Sequence, residues 1–362
     1  MQRRNPFYQD PSESLPISHR LLMLISYVAF SCAAYRVTVL DFARVGSAAW
    51  LSALAGAVLA LPSVLAGCAL VRKSVSQPSA AIRSAIGSAA FRALCALLAA
   101  AGTLEAAFAF SALTESASYA TLYAVPGWAL LAFTFAVVAL IAYRGGNASG
   151  GVAAVWVCAA PALYALTLIP HIPFLNLNWL FPFLGPGAKT ILECACPTAL
   201  LFSLIPFVAL LDDASSKGAG RPCGVARLFL CCAATTALLL FVHAAVYPGV
   251  SGLSDARSAR LDLLLSGGKT NRAAQLPMLI LWYGSLITSA VFFVYAAGRF
   301  ACEALGARHS LCAPGCGALA CALSALGAAK EGVRARFCAV GAIAVAAIWL
   351  LIWTARRIRR RG

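Results

Sequence analysis

The chain has 362 residues, of which 62% are hydrophobic and only 11% charged, and its formal net charge is +16. A soluble domain carries roughly 25% charged residues, so this composition excludes a water-facing globule and makes the bilayer the natural solvent. The basic surplus lies between apolar runs rather than along one face, which fits loops at a membrane surface and argues against a nucleic-acid-binding patch.

Residues 1–20, MQRRNPFYQDPSESLPISHR, lack an apolar h-region and read as a polar cytoplasmic tail rather than a cleavable signal peptide. A membrane helix needs about 20 mostly apolar residues. In chain order the candidate spans are 21–43, 46–71, 90–114, 127–143, 151–170, 188–211, 225–246, 275–299, 310–328 and 335–355. Residues 21–355 therefore form one ten-helix transmembrane domain, and 356–362 a basic cytoplasmic tail. Every span is expected to be helical, because lipid offers no partner to open backbone groups. With both ends inside, eighteen Lys and Arg fall on the inner side and ten on the outer, the bias expected of cytoplasmic loops.

Two outer segments are long enough to hold structure. Residues 171–187 are aromatic and amphipathic, and Trp179, Phe181 and Phe183 suit the headgroup interface, so a helix lying on the outer surface is expected. Residues 247–274 are polar with mixed charge, and ARSARLDLLLSGG predicts a short surface helix.

The fold class is an all-α membrane protein of about ten helices, and that number suggests a five-plus-five inverted repeat with the first and sixth spans broken near the midplane. Unwinding there would expose backbone groups able to hold the carboxylate and ammonium of an amino acid. The sixth span carries Cys196-Pro197-Thr198 near its middle and Pro206 further on; proline removes a backbone donor and frees a carbonyl. The first span has no Pro or Gly, but Ser31, Cys32, Ala33 and Ala34 interrupt its run of large apolar side chains at a matching depth.

Several residues stand out against the apolar background. Glu105 sits mid-span in AAAGTLEAAFAF, where a charge costs about 2.5–3.5 kcal/mol on insertion scales. It reads either as a ligand-ammonium or proton site, or as a structural acid paired with a neighbouring helix, with Arg36 one partner. Arg36 and Asp41 read either as a pair one turn apart or as side chains snorkelling to the outer interface. Glu193, one turn before Pro197, reads as a gate or as a water-facing acid. Ser285, Thr288, Phe292 and Tyr295 follow i, i+3, i+7, i+10 and share a helix face, suited to ligand contact or to helix–helix hydrogen bonding. His243, alone in FVHAAV, reads as a hydrogen-bonded packing residue, with a proton relay as the alternative. Cys312, Cys316 and Cys321 are the one tight group among fourteen cysteines, and read as packing residues.

Three stretches resemble the spore germination permease family, the B subunit of GerA-type germinant receptors. The first is ISHRLLMLISYVAF followed by GSAAWLSALAGAVLALP. The second is FLNLNWLFPFLGPGAKTILECACPTALLFS. The third is LDLLLSGGKTNRAAQLPMLILWYGSLITSAVFFVYAA. They follow the order and spacing of the family's entries into its first, second, sixth and eighth helices. Two departures are Arg36 within the first span and the absence of an acidic residue after Arg272, where Ala273-Ala274-Gln275 stands. The resemblance implies a LeuT-like amino acid–polyamine–cation transporter fold and a place in the inner membrane of a bacterial spore. It implies as partners an A-type subunit, a C-type lipoprotein subunit and a nutrient, an amino acid by preference, whose binding triggers germination. A secondary amino acid transporter is the alternative. The expected ligand contacts are Ser31, Ala33, Glu105, Phe108, Thr198, Leu201, Thr288 and Phe292. No GxSxG, HExxH or phosphate-binding loop stands in a fitting context, so neither catalysis nor a cofactor is expected.

Overall fold

The computed structural model describes residues 17–40, 42–73, 78–120, 125–169, 172, 176–181, 187–211, 222–246, 272–326, 341, 345 and 349. The helices are α1 (His19–Leu40), α2 (Phe42–Val45), α3 (Ala49–Lys73), α4 (Pro78–Ile86), α5 (Ser88–Ala120), α6 (Gly127–Tyr143), α7 (Gly146–Leu168), α8 (Ala188–Ser203), α9 (Val208–Leu211), α10 (Pro222–Val246), α11 (Arg272–Leu305) and α12 (His309–Ala325). Among the described residues, seven helical segments are long and apolar enough to cross a membrane, and the shorter apolar helices α6 and α12 accompany them. These nine elements fall on the first nine spans read from the sequence. Residues 1–16, the C-terminal tail, Asp41, the predicted surface helix within 247–274 and the tenth span, isolated positions of it excepted, lie outside the described residues, while His19 and Arg20 of the N-terminal tail already belong to α1.

The two longest helices, α5 and α11, make the most extensive helix pair and form the spine of the bundle. Their approach depends on a missing side chain. A Cβ added to Gly102 would stand 3.2 Å from both Ala297 Cβ and the Phe293 carbonyl oxygen. The same device seats α12 on α11, since a Cβ on Gly298 would come within 2.6 Å of Ala313 Cα. Helices in lipid gain little from hydrophobicity against one another, so close backbone approach at small residues supplies the attraction. Helix α1 is wrapped by α7, α8, α10 and α11. Helix α3 packs on α8 and α10. Large apolar side chains point outward from the bundle, Leu65 on α3, Phe133 on α6, Val155 on α7, Leu230 on α10 and Leu311 on α12 among them. A bundle apolar on its outside as well as its inside is the signature of lipid as solvent.

Three expectations need correcting. First, α1 is one continuous helix over His19–Leu40. With neither Pro nor Gly in that stretch, its small residues bring helices close without unwinding the backbone. Second, the interruption of the sixth span lies at Leu204–Phe207, not at Pro197. Pro197 sits inside α8, whereas Pro206 lies in a 3-10 turn between α8 and α9. Pro206 cannot donate to the carbonyl one turn back, and its ring disfavours helical backbone before it. A Cβ on Gly67 of α3 would stand 2.4 Å from Pro206 Cβ, so the turn is packed against a neighbour. Third, the outer segment is not one continuous surface helix: among its described residues Leu177–Leu180 form a 3-10 turn bounded by extended Asn176 and Phe181. Asn176 anchors it: its N–H donates to the Ala245 carbonyl at 3.1 Å and its side chain accepts from the Asn178 N–H at 3.0 Å. Leu180 turns inward onto Val39, Ile191 and Leu240, while Phe181 is exposed. The Trp179 side chain and Phe183 lie outside the described residues. Helix α4, between the second and third spans, is an element the sequence reading did not include.

The close α11–α12 contact predicts a clean contrast. Gly298→Ala lowers the thermal stability of the detergent-solubilised protein by about 1–3 kcal/mol, the usual cost of overpacking. Gly315→Ala on the open face of α12, where an added Cβ meets nothing within 4 Å, leaves the melting temperature unchanged or raised.

Candidate functional site

Glu105 and Phe108 lie three residues apart on α5 and so share one face. Opposite them on α1 stands Arg36. Its Nη2 donates to Glu105 Oε2 at 2.8 Å, and its guanidinium carbon lies 5.9 Å from the centroid of the Phe108 ring. The Arg36 side chain is 1% exposed and that of Glu105 10%. Arg36 thus does not snorkel to the interface; it turns inward, because a carboxylate is available at the same depth. Two charges that each oppose burial neutralise one another, and the charge-assisted bond is shorter and stronger than a neutral one.

Around this pair the bundle is tied by neutral hydrogen bonds. The Tyr35 hydroxyl is 2.7 Å from His243 Nδ1, joining α1 to α10, and its ring is 6.1 Å from that of Trp282 on α11. Trp282 Nε1 donates to Ser116 Oγ at 3.0 Å, joining α11 to α5. His243 is thus hydrogen-bonded within the bundle.

The other expected contacts lie on α1, α8 and α11. Thr38 donates to the Ala34 carbonyl at 2.9 Å, so the Thr198 hydroxyl, 3.2 Å away, donates to Thr38. Thr198 is wedged against α3, where a Cβ on Gly56 would come within 2.9 Å of it. Leu201 is buried in the main core. Phe292 packs edge-on against Phe30 at 5.7 Å. Thr288 donates to the Gly284 carbonyl at 2.7 Å and borders an open, apolar groove of about 440 Å³ between α7 and α11. Ser285 accepts from Trp156 Nε1 at 3.0 Å, so the hydroxyl face of α11 is spent on contact with α7. Ser31 lies beside Cys232 of α10, and both Ser31 and Ala33 are buried. All eight expected residues are buried, and Glu105 and Phe108 meet at Arg36.

Two further ion pairs lie on the surface. Arg44 of α2 holds Glu193 of α8 at 3.0 Å, and Arg83 of α4 holds Glu303 of α11 at 2.9 Å. Each of these side chains is about half exposed, and exposed pairs of this kind contribute little stability. Cys312, Cys316 and Cys321 are free thiols in or against the main core.

No family model matches the sequence, and no curated protein matches it. Among solved structures, the chain is similar to MhsT, determined in complex with L-phenylalanine, with a TM-score of 0.64 and 15% identity over 86% of this chain and 80% of that one. The chain has a LeuT-like transporter fold. At this identity the likeness speaks for architecture alone. With the seven helices long and apolar enough to cross a membrane, it fits a multi-pass membrane bundle in which α1 and α5 carry the ion pair.

Removing one member of a buried ion pair leaves the other uncompensated, at about 3–5 kcal/mol. Glu105→Ala is accordingly strongly destabilising, whereas the double variant Arg36→Met, Glu105→Leu recovers most or all of the wild-type melting temperature. Thermal unfolding in detergent, followed by size-exclusion fluorescence, checks both.

Proposed function

We propose that the chain is the permease-like subunit of a spore germinant receptor, binding an amino acid within the membrane and working without catalysis of its own. The observation that carries the binding role is the Arg36–Glu105 pair: a charged element held in the interior of a LeuT-like fold. The receptor role draws its support from the three sequence stretches similar to the germination permease family. On this reading the partners are A-type and C-type receptor subunits, the location is the spore inner membrane, and both chain ends face the spore interior.

Three of the helix contacts fit the inverted repeat that such a protein would carry, while α1–α11 has no comparable counterpart between α8 and α5 among the described residues. Exchange the sixth span for α1, α10 for α3, α11 for α5 and α12 for α6. The α3–α8 contact then maps onto α10–α1, α5–α6 onto α11–α12, and α5–α12 onto α11–α6, and all six pairs are packed.

Likeness to an amino-acid-bound transporter fold favours a second reading, active amino acid transport. One observation weighs toward binding without ion-driven flux: helix α1 is unbroken, so its backbone carbonyls stay engaged in helical hydrogen bonds.

Reconstitution into liposomes separates the two. Saturable binding of a radiolabelled amino acid without accumulation supports the receptor, and concentrative uptake supports the transporter. Absence of binding across the standard amino acids contradicts both.

A further inference from the structure

A LeuT-like fold with an intact first helix faces a chemical difficulty. The amide N–H groups along His19–Leu40 are engaged in helical hydrogen bonds, so the backbone of α1 has few donors left for a ligand carboxylate. What α1 and α5 offer in their place is one side-chain cation and one side-chain anion in contact at 2.8 Å. We propose that the Arg36–Glu105 pair is itself the recognition element for a zwitterionic α-amino acid. The ligand carboxylate takes the place of Glu105 on the guanidinium, and the ligand ammonium takes the place of Arg36 on the carboxylate. The proposal rests on the amino-acid-binding reading above.

Electrostatics and geometry support this exchange. A zwitterion carries both charges within a few ångströms of each other, on the scale of the pair it opens. Inserting it makes a ring of four alternating charges and adds no net charge to the membrane interior. A ligand bearing one charge leaves either Arg36 or Glu105 without a counter-ion in a medium where that is expensive. The unliganded pair thus acts as a placeholder, holding both recognition groups ready and rejecting half-matched ligands. Access also fits, because Glu105 keeps about a tenth of its side-chain surface open while Arg36 keeps almost none. Phe108, against the guanidinium, adds an aromatic face to the site. The two surface ion pairs lack these properties, being half exposed.

The test uses the full chain in lipid nanodiscs. Every standard L-amino acid is screened, and the tightest is taken forward with its deaminated acid and its decarboxylated amine. For L-phenylalanine these are hydrocinnamate and phenethylamine. The expected result is that the wild type binds the amino acid at least about tenfold more tightly than either analogue. Glu105→Gln weakens amino acid binding by about 10- to 100-fold, the value of a lost charge-assisted hydrogen bond, and erases the preference over the acid. Arg36→Gln erases the preference over the amine. Arg83→Gln, at the surface, changes nothing. If folded Glu105→Gln and Arg36→Gln bind the amino acid as the wild type does, the pair is a structural staple and the proposal is overturned. Should the single variants not fold, the apolar double variant Arg36→Met, Glu105→Leu decides: loss of binding supports the proposal, and retained binding overturns it. Wild-type protein that binds no amino acid defeats the broader reading before any variant is made, so the two failures are distinct.

Discussion

A guanidinium and a carboxylate within an apolar bundle have few arrangements open to them. Either charge alone would cost several kcal/mol at the meeting place of α1 and α5, where Arg36 is almost wholly enclosed and Glu105 nearly so. Contact between them removes most of that cost and fixes the register of the two helices, because each side chain reaches its partner from one turn only. Much of the bundle follows from that constraint. Helix α5 is locked along its length to α11 by the close approach at Gly102, and α11 carries α7 and α12. Helix α1, pinned to α5 by charge, is pinned to α10 by Tyr35–His243 and to α8 by Thr38–Thr198. The elements around the first helix are thus held by polar contacts whose strength is set by the surrounding lipid-like medium, while the outer helices are held by shape.

The same constraint bears on mechanism. A transporter fold built around an unwound first helix can recognise its ligand through backbone groups. Here the helix is continuous, and the interruption has moved to the other half, at Leu204–Phe207 against Gly67 of α3. The buried charge pair and the break in the sixth span therefore belong to separate elements of the bundle.

Much of the architecture was legible in the sequence because bilayer thickness fixes helix length: nine of the ten apolar runs coincide with described helices. The breaks were less legible. Small residues at Ser31–Ala34 weaken a run of hydropathy without weakening a helix, so they mimicked an unwound segment. Pro197 and Pro206 carry the same local signal, and the packing of Gly67 against Pro206 is a tertiary fact. In the candidate site, Glu105 was visible as a lone mid-span acid, and Arg36 was named as one possible partner. Its inward turn was not decided by sequence, since a charge near a helix end is equally served by snorkelling. The face of Ser285, Thr288 and Phe292 was read correctly as one face, but which neighbour it meets depends on helix rotation: Trp156 of α7 and Phe30 of α1 occupy it.

The most direct test of this account is an experimental structure of the full chain in nanodiscs with its tightest-binding amino acid. The account predicts ligand density between α1 and α5, the Arg36–Glu105 contact opened from 2.8 Å with the ligand carboxylate on Arg36 and its ammonium on Glu105, and α1 helical throughout. A ligand held by the backbone of an unwound α1, with the Arg36–Glu105 contact still closed, would contradict it.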